Sequence, residues 1–97
     1  MSDEQDVKRG RLAEDVLANE AYTDSHDKIE QEIYRKWQDS RNPDDREQLH
    51  RLLMALRLVK SALESTMRSG KLAAAELERK ANLAQRVGRA LKPSWRA

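Results

Sequence analysis

PDDREQLHRLLMALRLVKSALESTMRSG, residues 43 to 70, reads as one long helix with a start signal, a stop signal and apolar residues on two faces. Asn42 is a good N-cap, Pro43 suits the first helical position, and Asp44, Asp45 and Glu47 sit where the helix dipole favours negative charge. At 100° per residue, Leu49, Leu52, Leu53, Leu56, Leu63 and Met67 fall within an arc of roughly 100°, with Val59 at its edge. Lys60 lies inside that arc, where its stem can snorkel. Met54, Leu58 and Ala62 form a second stripe on the far side. Gly70 follows the last apolar position, and Ser69-Gly70-Lys71 has the form of a C-cap in which glycine takes the left-handed conformation, so a break or kink is expected there.

Working outward toward the N-terminus, Tyr22, His26, Ile29, Ile33 and Trp37 recur at spacings of four, three, four and four, which gathers them on one helix face. Asp24, Lys28, Glu32, Arg35 and Lys36 populate the other side. The short connection from Ser40 to Asn42 predicts antiparallel packing, with the Trp37 end meeting the Leu49 end. Leu12, Ala13, Val16 and Leu17 mark a helix that either stops near Asn19 or runs on. Residues 1–10 are polar and end in Gly10. Ser2 and Gln5 have capping-box spacing, but no apolar run follows closely, so a frayed arm is expected.

Beyond Gly70, residues 71–97 predict a separate basic amphipathic helix and tail. Leu77 and Leu91 lie on its apolar side, Arg79, Arg86 and Arg89 on the other, and Pro93 ends it. The expected organisation is therefore an arm (1–10), a helical hairpin (11–70, with helices over 11–39 and 43–69) and a C-terminal helix. The fold class is all-α, an antiparallel helical hairpin with a third helix, completed by oligomerisation.

Composition supports this reading. Of 97 residues, 38% are apolar and 4% aromatic, too little for a large core, while 37% are charged, as in long exposed helices. No period-two alternation predicts strands. The chain has no cysteine, hence no disulfide or thiolate metal site. The first residues lack an apolar signal core and no run is long enough to span a membrane, which predicts a cytoplasmic protein. Charge is lopsided: net −5 over 1–40, +2 over 41–70 and +5 over 71–97. Such a basic end suits either nucleic acid or an acidic protein face.

Catalytic chemistry finds no foothold. No carboxylate pair lies in an apolar setting, and no phosphate-binding glycine loop, HExxH or GxSxG pattern occurs. His26 with Glu30, and His50 near Glu47, lack a third ligand, so no metal, cofactor or small-molecule substrate is expected. The candidate protein interface is Met54, Leu58, Ala62, Leu77, Leu91 and Trp95, the last an aromatic in a polar tail. Arg79, Arg86, Arg89, Lys92 and Arg96 form a stripe able to follow phosphates, although no aromatic side chain interleaves it.

Asn19-Glu20-Ala21-Tyr22 through Trp37, Asp45-Arg46-Glu47, Leu52-Leu53-Met54-Ala55-Leu56 and Gly70-Lys71-Leu72-Ala73 resemble small helical-hairpin proteins encoded among the structural and packaging genes of tailed bacteriophages. The resemblance covers roughly residues 17–73, and the chain departs from it by continuing about two dozen residues further. It implies a role in virion assembly or DNA packaging without an active site, in the host cytoplasm or associated with the virion. Three functions are compatible with the residues. They are a non-enzymatic assembly protein that oligomerises or docks on a larger virion component, a DNA-packaging component similar to a small terminase subunit, and a phage-encoded inhibitor of a host protein.

Overall fold

A computed structural model describes residues 2–91 and contains three helices and no strands among them. They are α1 (Asp3–Ala18), α2 (Glu20–Asp39) and α3 (Pro43–Ala90). The all-α class agrees with the sequence reading, but the chain is divided differently.

Helix α1 occupies the expected arm. Ser2 is its N-cap, with the Oγ accepting from the Gln5 amide at 3.2 Å, and Asp3, Glu4 and Asp6 place negative charge in the first turn. The single helix expected over 11–39 is interrupted at Asn19, which is extended (φ −71°, ψ 122°) and caps both neighbours. Its amide donates to the Val16 carbonyl at 3.1 Å, and its Oδ1 accepts from the Tyr22 amide at 3.0 Å. The Thr23 hydroxyl donates to its carbonyl at 2.9 Å. This short amide side chain offers the backbone an alternative to continuing the helix.

At the next connection, Asn42 Oδ1 accepts from the amides of Asp44 (2.9 Å) and Asp45 (3.4 Å), with Pro43 in the first turn, as its chemistry dictates. Arg46 locks the corner: its Nη1 donates to the Ser40 carbonyl at 3.2 Å while its guanidinium lies 3.7 Å over the Trp37 ring.

Gly70 does not end a helix. α3 runs 48 residues straight through it, and no glycine among the described residues has a positive φ, so the expected break and the separate third helix are both corrected. The reason is a helix crossing. A Cβ on Gly70 would lie 2.6 Å from the Gly10 Cα and 2.9 Å from the Asp6 carbonyl oxygen, and a Cβ on Gly10 would lie 2.6 Å from the Gly70 Cα. The two backbones touch, and glycine is required for close approach, not for a turn. Gly10, Ala13, Gly70 and Ala73 are all buried at this contact-rich end.

Helix α1 lies along the C-terminal half of α3, with Asp3 Oδ2 3.1 Å from Lys80 Nζ at one end. Helix α2 lies along the N-terminal half, where Ile33 and Leu53 are buried. Packing of α1 on α3 is much closer than that of α2 on α3. The result is elongated, 84 × 24 × 17 Å with a radius of gyration of 23.0 Å, against about 13 Å for a compact chain of this length.

Candidate interaction surfaces

Spacings of three and four alternate without interruption along α3 from Leu49 through Leu52, Leu56, Val59, Leu63, Thr66, Gly70, Ala73, Leu77, Lys80, Ala84 and Val87 to Leu91. Such a seam faces one direction along the whole helix once it supercoils slightly. Only part of it is covered. From Leu63 to Leu77 it is buried or half-buried in the region where α1 lies. Toward the N-terminus of α3, Leu52 and Val59 are 58% and 56% exposed; toward the C-terminus, Val87 and Leu91 are 48% and 76% exposed.

The exposed N-terminal part forms one wall of an open groove of about 720 Å³ between α2 and α3. Ile29, Ile33, Leu52, Leu56 and Val59 give it an apolar lining, and Lys28, Glu32 and Lys36 run along it. Glu32 is held by Arg35, which donates to it through both Nε and Nη2, and this lowers the Glu32 pKa while raising that of Arg35. The groove exists because α2 is pinned to a neighbouring side of α3: the Arg57 Nη2 donates to the Tyr34 hydroxyl and to Glu30 at 3.3 Å.

Of the anticipated interface residues, Met54 (40% exposed), Leu58 (70%) and Ala62 are uncovered, as is Leu91. Leu77 is half-buried in the stretch of the seam beside α1. Trp95 lies outside the described residues, as do Lys92 and Arg96. The basic stripe is also thinner than its sequence suggests. Arg79 makes a two-pronged contact with Glu76 (3.0 and 2.6 Å), which lowers the Glu76 pKa and raises that of Arg79. Arg86 and Arg89 are exposed and form no ion pair among the described residues. The groove is not legible in the sequence, because it depends on which side of α3 receives α2; the three-four spacing that runs unbroken beyond Gly70 signals instead that α3 continues.

A histidine site is present but committed elsewhere. His26 Nδ1 lies 3.6 Å from Asp27 and 3.9 Å from Glu30, the one set of three potential metal donors that converges among the described residues. Glu30 already serves Arg57, and Asp27 is exposed. The His26 Nε2 and the Tyr22 hydroxyl are buried without hydrogen-bond partners.

No protein family matches the chain, and neither does any curated protein or solved structure. No helix among the described residues is long and apolar enough to cross a membrane.

Proposed function

We propose that the chain is a non-enzymatic helical docking and oligomerisation module acting in virion assembly, built on an antiparallel hairpin. The observation that supports this is the mismatch between its core and its surface. Among the described residues no large side chain is fully buried, while Leu52 and Val59 in the groove, and Leu58, Leu72 and Leu83 outside it, are each more than half exposed. Single exposed apolar residues are ordinary on any protein, but a contiguous groove of them beside an otherwise charged surface marks a contact. The likeness of residues 17–73 to phage helical-hairpin proteins supplies the assembly context.

The test is absolute mass in solution by light scattering, with and without duplex DNA. A mass above that of one chain, or a mixed complex with a virion component that Leu58→Glu or Leu52→Glu abolishes, supports the reading. A monomer at high concentration that tolerates both substitutions and binds no virion component overturns it.

A second reading, DNA contact in packaging, is favoured by Arg86 and Arg89. They are exposed in a stretch, residues 81–91, that contains no acidic side chain. It predicts duplex binding whose dependence on log salt flattens by about one for each of these arginines removed. Replacing Arg79, already bound to Glu76, should have a smaller effect. Absence of binding at low salt would dispose of this alternative.

A further inference from the structure

We infer that the groove between α2 and α3 receives an acidic amphipathic helix from another protein. The inference rests on the docking reading above and adds the chemistry of the partner segment.

The shape of the groove calls for a helix. Its floor is apolar, with Ile29, Ile33, Leu52, Leu56 and Val59, and it runs from Leu49 to Val59, about 15 Å or nearly three helical turns at 1.5 Å per residue. Both walls are helices, whose side chains stand in rows three and four residues apart. A third helix with apolar residues at the same spacing fits between them and turns a two-helix layer into a core. An extended segment gains nothing comparable. Helical walls present no unpaired backbone N–H or C=O along their length, so a strand laid there would leave its own backbone groups without partners, whereas a helix satisfies them internally.

The charge around the groove sets the sign of the partner. Lys28 and Lys36 line it together with Glu32, and Glu32 is already compensated: Arg35 donates to it through Nε at 3.2 Å and Lys36 Nζ lies 3.9 Å away. Three cations against one carboxylate leave +2 on this wall. Lys28 is exposed and forms no ion pair among the described residues. The α3 wall adds to the excess, because from Gln48 to Leu63 the chain carries Arg51, Arg57 and Lys60 and no acidic side chain. Arg57 is engaged with Glu30, but Lys60 is exposed and unpaired among the described residues, and Arg51 meets Glu47 only in an exposed contact at 3.4 Å of a kind worth little. Asp45 stands beyond the lining, in the first turn of α3, where the helix dipole favours its charge. Lys28 and Lys36 are about 12 Å apart along α2, so carboxylates two turns apart on one flank of the partner helix would face them both. A basic helix, including residues 71–97 of a second copy, meets repulsion from the same cations. A nucleic-acid backbone would meet the lysines but leave the apolar floor in water, which favours a protein helix.

The test titrates the isotope-labelled full-length chain with a synthetic peptide of roughly 20 residues, long enough to form a helix, with leucine at spacings of three and four and glutamate on both flanks. Its controls are the same composition in scrambled order, a version with lysine in place of each glutamate, and a short DNA duplex. The acidic peptide is expected to shift amide resonances confined to Lys28–Lys36 and Gln48–Val59, and the scrambled and lysine peptides to leave them in place. Lys28→Glu/Lys36→Glu should weaken the acidic peptide roughly 10-fold and admit the lysine peptide instead. Glu32→Gln, which removes the one carboxylate of the lining, should tighten the acidic peptide by about threefold. Val59→Glu, a change at an exposed floor position, should abolish these shifts with helicity unchanged. Equal binding of the scrambled or lysine peptide, shifts outside the groove, indifference to the lysine reversals, or the same shifts on adding duplex DNA would each overturn the acidic helix as occupant. A chain that ignores the acidic peptide but self-associates or binds a virion component loses this inference and keeps the docking reading; one that does none of these loses both.

Discussion

Gly70→Ala is expected to destabilise the protein by about 1–2 kcal/mol, whereas the same change at Gly88 should stabilise the end of the same helix. In an exposed helix interior alanine is better than glycine by about 1 kcal/mol, since it restricts the unfolded chain and costs no side-chain freedom. Gly88 meets that condition, with nothing near its missing Cβ. At Gly70 the new methyl would stand 2.6 Å from the Gly10 Cα, against an optimal carbon separation of about 3.5–4.0 Å. The obstructing atoms belong to backbone, so no side chain can rotate aside; α1 has to move away as a body. That movement also loosens the buried Ala13 and Ala73, and overpacking of this kind costs about 1–3 kcal/mol, more than the gain in helix propensity. Thermal melts followed by circular dichroism should place Gly70→Ala roughly 5–15 °C below the parent. Gly10→Ala should behave alike. A Gly70→Ala protein that melts at or above the parent would show that the two backbones are not in contact.

This expectation turns on a residue that sequence inspection takes for a terminator. A glycine that caps a helix and one that admits a neighbouring backbone are the same letter, and Ser69-Gly70-Lys71 fits either use. What separates them is register. Leu63, Thr66, Gly70, Ala73 and Leu77 continue the three-four spacing, but three of these five are small, so a search for large apolar residues loses the seam just where it is most tightly covered. The same blindness applies to α1. Its contact face is Gly10 and Ala13, and a helix that packs through its backbone shows little hydrophobic pattern to betray it. Ser2 did carry the signal in its capping geometry. By contrast, the start of α3 at Asn42 and Pro43 is legible because its chemistry is local: one amide side chain, two orphan N–H groups and a ring that needs no donor. Exposure of Met54 and Leu58 is legible for a similar reason, since a helix buries one side at a time. The groove is not, because it depends on which side of α3 receives α2, and that is set by the contacts of Arg57 across to Glu30 and Tyr34.

Leu53→Ala should release α2 while leaving the α1–α3 contact nearly untouched. Leu53, 7% exposed, is the most buried large apolar side chain among the described residues, and Ile33 of α2, at 8%, is next. Truncating a buried leucine costs about 2–5 kcal/mol, depending on whether the site can relax. The open groove beside it allows relaxation and entry of water, which places the cost near about 2–3 kcal/mol. The loss falls unevenly because the two halves of α3 are covered in different ways. Near Gly70 the helices touch through backbone, but α2 is held by a thin line of side chains and a surface ion pair, Arg57 with Glu30, of a kind worth little. A 20-residue helix is marginal once detached from its partner, so α2 should open as a unit. Amide hydrogen exchange resolves this directly. In Leu53→Ala the amides from Ile29 to Lys36 should exchange roughly 30- to 100-fold faster, with those around Gly10 and from Thr66 to Leu77 changed by less than about threefold. Gly70→Ala should give the inverse pattern, with protection lost in α1 and retained in α2. Equal acceleration across all three helices in both variants would mean that the chain opens as one cooperative unit, and that the uneven packing of α1 and α2 on α3 has no energetic counterpart.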